Sequence, residues 1–110
     1  LADSQQPYDA GNLLGDYTIR VYPSATPLDK LAYAHEHYDH TAVNADAQVL
    51  VPLRHLEDMV AEGIIGEVAS NVISYHGYQP DATRTLDETI PAIREAVKAE
   101  SAHAALLVPS

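Results

Sequence analysis

The sequence predicts an α/β domain of three layers, a mainly parallel sheet with flanking helices in the Rossmann-like or flavodoxin-like manner. Three observations carry that expectation. Strand-like runs alternate with amphipathic helical stretches along the chain. The closing run Ala104-Ala105-Leu106-Leu107-Val108 is apolar throughout, as are strands buried on both faces of a parallel sheet. The densest polar cluster also follows directly on a strand candidate, where open α/β sheets carry their sites. The 110 residues suit a single domain, 1–110, with a modest core. A start without Met and a stop just after an apolar run lead us to expect part of a longer chain.

The elements follow in order. Leu1 to Gly15 is rich in Gln, Pro, Asp, Gly and Asn and reads as an irregular lead-in ending at the Gly15-Asp16 turn. Tyr17, Ile19 and Val21 alternate with Thr18 and Arg20, the period of a half-buried strand, and Pro23 ends it. Leu31 to His37 is a second strand candidate and Gln48 to Val51 a third. Pro52 then opens a helix to about Glu62, with Leu53, Leu56 and Val60 on one face, Arg54 placed to meet Asp58, and Gly63 at the left-handed cap. A short strand is expected near Val72-Ile73-Ser74, with Tyr75-His76-Gly77-Tyr78 as its exit loop. Thr85-Leu86-Asp87-Glu88 has the form of a capping box, and Leu86, Ile90, Ile93 and Val97 share a helical face. Pro91 either bends that helix or lies in the first turn of one that starts at Thr89.

Charge and composition exclude several function classes. Sixteen Asp and Glu against six Lys and Arg give a formal charge of −10, which offers no basic face to nucleic acid or to an anionic membrane. Cysteine is absent, so these residues supply neither disulfides nor thiol chemistry. No apolar run approaches the ~18 residues of a membrane span, and Leu1 to Gln6 lacks the basic and apolar regions of a signal peptide. A soluble, cytoplasmic protein is expected.

The chemistry is expected in His35-Glu36-His37-Tyr38-Asp39-His40, which packs three of the six histidines and two carboxylates into six residues. On a strand, His35 and His37 point to one face, and a turn after Tyr38 brings Asp39 and His40 to the same place. Imidazole and carboxylate at this spacing suit a divalent metal such as zinc, with His35, His37, Asp39 and His40 as ligands. The same groups also suit proton transfer or the binding of a substrate's polar end. His76, in a strand-exit loop beside Gly77, is a further catalytic candidate. As a string the cluster matches the HxHxDH signature of the metallo-β-lactamase fold, which would make it a water-activating metal centre of a hydrolase. That fold needs more ligands far downstream and about twice this length, and the residues after His40 lack its usual glycine pair. A non-catalytic, partner-binding subunit is the other alternative.

Several blocks taken together carry a more extended resemblance. Gly15-Asp16-Tyr17-Thr18-Ile19-Arg20-Val21 with Pro23-Ser24, then Ala34 to His40, Val51-Pro52-Leu53, Ala61-Glu62-Gly63-Ile64-Ile65-Gly66, Tyr75 to Tyr78 and Leu106-Leu107-Val108-Pro109 occur in order. In these blocks the chain resembles component B, or selenoprotein B, of the glycine/sarcosine/betaine/D-proline reductases. The resemblance implies a cytoplasmic α/β protein acting in reductive C–N bond cleavage of a small amino-acid-like substrate, with other reductase subunits or a homo-oligomer as partners. It implies a redox cysteine or selenocysteine just after the run that looks like Ala104 to Val108, and a pyruvoyl group on a partner subunit. Ser110 stands where that redox residue is expected, so the nucleophile is expected just outside these residues.

Overall fold

The computed structural model describes residues 1–34 and 39–109. Its sheet is a two-stranded antiparallel ribbon of β1 (Ile19–Pro23) and β2 (Asn71–Tyr75), with Arg20 opposite Ser74 and Tyr22 opposite Val72. The helices are α1 (Thr41–Ala45), α2 (Leu53–Ala61), α3 (Ala82–Arg84) and α4 (Ile90–Glu100). The three-layer, mainly parallel sheet expected from sequence is therefore corrected: among the described residues the two strands pair antiparallel with each other.

The expected extra strands fail for lack of partners. Leu31 makes one isolated bridge to Ala2, and residues 32–34 have no regular structure. Asp46 accepts a hydrogen bond from the Gln48 N–H and winds Ala47–Val49 into a 3-10 turn where a strand was expected. Ala104 to Val108 is exposed and unpaired. The preceding Ser101 adopts a left-handed conformation (φ 54°) that ends α4 and redirects the chain. An apolar run fixes the wish to be buried but not the partner strand.

What the sequence reads as loose lead-in is the cover of the ribbon. Arg20, Tyr22, Val72 and Ser74 share one ribbon face by the period of two, and Tyr8 closes over it, its hydroxyl donating to Ser74 Oγ at 3.0 Å. The Arg20 guanidinium stacks 4.6 Å from the Tyr8 ring centroid. It donates to the carbonyls of Gln6 (2.8 Å), Pro7 (3.2 Å) and Ile19 (3.0 Å) and to Thr18 Oγ1 (2.7 Å). Tyr8, Tyr17 and Tyr22 are buried together with Leu1, Ala2, Val43 and Leu53, so tyrosines make up much of the core. Such rings bury large area while their hydroxyls find acceptors at the edge.

The helical unit at the carboxyl end shows how one residue sets local geometry. In an uninterrupted α-helix the Asp87 carbonyl would accept from residue 91, but Pro91 has no N–H. Thr85–Thr89 is wound instead as a π turn in which the Ile90 N–H donates to the Thr85 carbonyl, leaving Pro91 in the tolerated first turn of α4. Thr89 Oγ1 donates to the Tyr17 carbonyl at 2.9 Å, and the Glu100 carboxylate accepts from Asn71 N (3.0 Å) and Nδ2 (2.8 Å), so both ends of this unit are pinned to the ribbon. In α2, Gly63 has φ +73° at the expected cap. Arg54 pairs with Glu57, not with the expected Asp58, and reaches the carbonyls of Ser24 and Thr26.

Candidate functional site

The histidine block enters from Tyr33 and leaves into α1. His35 and His37, two of the expected ligands, lie outside the described residues. Asp39 is exposed, and its Oδ1 accepts from the Thr41 N–H at 2.9 Å and the Thr41 hydroxyl at 2.7 Å. This local turn leads into α1. The Thr41 hydroxyl, then its N–H, holds the Asp39 carboxyl below the usual carboxylate range. His40 is the N-cap of α1, half-buried, its carbonyl accepting from Asn44 N–H at 2.8 Å. Asp39 and His40 are thus adjacent on a defined turn, with a charged, exposed carboxylate beside a half-buried imidazole whose Nε2 is enclosed.

Tyr33, which sequence reasoning passed over, packs edge-on to His40, with ring centroids 6.4 Å apart and planes at 69°. Its hydroxyl is buried, and burial followed by the nearby Asp46 carboxylate raises its pKa, so it stays protonated. Tyr33 also borders a groove of about 380 Å³ between the Leu28–Leu31 segment and α1, together with Asn44 and Asp46. A larger groove of about 460 Å³ lies between Gln6 and Arg20. Its one cation is spent on protein carbonyls, so it offers less to a ligand.

His76 sits in a different setting. It is buried, 6% exposed, and its ring stacks on Tyr8 at 5.8 Å with the planes 30° apart. Tyr75 and Tyr78 on either side are exposed. The Tyr22 hydroxyl is pushed up to about 12 by burial, then by Tyr33 and Tyr8.

Among the described residues no group of three His, Asp or Glu is arranged to hold a metal ion. Asp39 Oδ2 has no hydrogen bond among the described residues, and with His40 it supplies the donor chemistry a borderline divalent ion takes. No described helix is long and apolar enough to cross a membrane.

Comparison with known proteins bears on this geometry. The family model described as glycine/sarcosine/betaine reductase selenoprotein B matches residues 10–109, a span that includes both histidine regions. The D-proline reductase subunit gamma of Acetoanaerobium sticklandii is 31% identical over 96 residues, covering 87% of this chain and 40% of that protein. The chain therefore spans less than half the length of this curated relative. No solved structure matches.

Proposed function

This chain belongs to the glycine/sarcosine/betaine reductase selenoprotein B family, and we propose that it is the histidine-bearing part of a cytoplasmic reductase subunit. In this reading it serves reductive C–N bond cleavage in a small amino-acid-like substrate. The observation that carries the reading is that the family match runs unbroken across the histidine block. It is supported by the relative named as a D-proline reductase subunit, which also makes other subunits the expected partners.

In this proposal His35, His37, Asp39 and His40 hold the substrate's polar end or a divalent ion that does so. Thr41 fixes the Asp39 carboxylate and keeps it charged, and Tyr33 sets the His40 ring from its edge. His40, half-buried at the start of α1, places its imidazole beside that carboxylate. With no cysteine among the 110 residues, the thiol or selenol of the reductive step comes from a residue outside them. A pyruvoyl group on a partner subunit, as the resemblance implies, would supply amine activation.

The test is His37→Ala in the intact protein within its complex. Turnover should be abolished while folding stability stays within about 1 kcal/mol of wild type. Unaltered turnover rejects the assignment. Elemental analysis of the same preparations separates the two binding modes: an equivalent of bound metal lost in His37→Ala identifies ligation, and metal-free active protein identifies direct substrate contact.

A further inference from the structure

One end of the molecule exposes apolar surface that the histidine site does not use. Leu13 and Leu14 are 83% and 73% exposed, and Tyr78, Leu86 and Ile90 are 49%, 63% and 47% exposed. The lead-in gathers them. Tyr78 donates its hydroxyl hydrogen bond to the Leu13 carbonyl (3.3 Å), and Gly15 packs so closely on Pro80 and the Tyr78 carbonyl that no Cβ fits. Tyr17 then accepts from Asp81 N–H through its hydroxyl and from Thr89 through its carbonyl, which brings the start of the α3–α4 unit to the same end.

We propose that this face docks a second, different polypeptide whose surface has an apolar centre and a rim of Lys and Arg. Size and charge argue for that occupant. A standard interface takes about 800 Å² from each partner, and five large side chains this exposed, with the loops that carry them, supply area of that order. Among them stand the exposed carboxylates Asp9, Asp81, Asp87 and Glu88, and Arg84 is already paired with Glu88. A second copy of a chain carrying −10 would set these rims against each other. A basic rim matches them. The inference rests on the reading of this chain as a subunit only in expecting a partner at all, and its test does not involve turnover.

Hydrogen exchange on the intact protein, in its native complex and after the complex is parted by raised salt, tests the assignment. Amides of residues 12–16, 77–79 and 85–90 should be protected in the complex and exchange freely once it is parted. Equal exchange in both states overturns the proposal. Protection that persists in the separated monomer means the protein's own chain covers the face, and protection accompanied only by a doubled mass means a second copy does; either result also overturns it. The double variant Leu13→Asp/Leu14→Asp, at sites too exposed to matter for folding, should weaken assembly about tenfold or more. Charge reversal at Asp87 should slow association and flatten its salt dependence. Assembly indifferent to both changes contradicts the proposal.

Discussion

The two histidine regions of this molecule are built in opposite ways. His76 lies inside a buried stack, with Tyr8 on its face, Arg20 over Tyr8, and Arg20 donating to three carbonyls and a hydroxyl. His40 stands half-buried at the mouth of a five-residue helix, held by a neighbouring ring edge and by a turn that Asp39 and Thr41 make. The first arrangement fixes chain segments far apart in sequence. The second leaves the Asp39 carboxylate exposed, where a group that binds a ligand has to be, beside a half-buried imidazole. Burial in a stacked, hydrogen-bonded frame is what a scaffold needs, and an exposed polar group on a short turn is what chemistry needs.

This contrast can be broken at several points. Tyr8→Ala removes the ring between His76 and Arg20 and should cost about 3 kcal/mol in denaturant unfolding. A loss under 1 kcal/mol would show that the lead-in is not part of the core. Gly15→Ala forces a left-handed residue (φ +82°) and places a Cβ 2.8 Å from both Pro80 Cδ and the Tyr78 carbonyl, for a cost of about 2 kcal/mol. An unchanged melting curve would mean that the 12–15 turn does not pack on the 78–80 loop.

Alkaline titration separates the regions by their tyrosines. Tyr22 has its pKa raised from 10.0 to about 12 in the folded chain, so its contribution is fully present below pH 10 and is lost as pH rises through about 12. Tyrosinate absorbance should rise together with unfolding in that window, and Tyr22→Phe should move the transition to higher pH. The smallest effect is expected at the site itself. Thr41→Val removes the hydroxyl that Asp39 accepts from, and the Asp39 carboxyl should titrate closer to its ordinary value by NMR. Because the folded-state pKa of Asp39 is depressed, its contribution is present above the ordinary carboxylate pKa and fades as pH falls through the folded value. In Thr41→Val that acid limb should shrink.

Much of this was legible in the sequence wherever the signal is local. The period of two around Ile19, the strand expected near Val72-Ile73-Ser74, the 3- and 4-residue spacing from Leu53 to Val60, and Gly63 at its cap all become the elements they suggest. Pro91 was readable as a first-turn residue, although the π turn that accommodates it was not. The topology was out of reach, since antiparallel pairing of β1 with β2 depends on which of five strand candidates find each other. Ala104 to Val108 looks like a buried strand because an apolar run is the same string whether or not a partner strand exists. The closing of the lead-in over the ribbon was hidden for a similar reason: Arg20 donates mostly to backbone carbonyls, and those carry no sequence signature. Of the candidate site, the block itself and its family were readable from motif and order. Tyr33 as the neighbour of His40 and the stacking of His76 on Tyr8 are tertiary facts.

Paired substitution of the two histidines tests the account most directly. Turnover and melting temperature should be measured for His40→Gln and His76→Gln in the intact, assembled protein. The account predicts a turnover loss of about a hundredfold or more for His40→Gln with stability kept within about 1 kcal/mol, and a lowered melting temperature for His76→Gln. Wild-type turnover in a stably folded His40→Gln protein would contradict it.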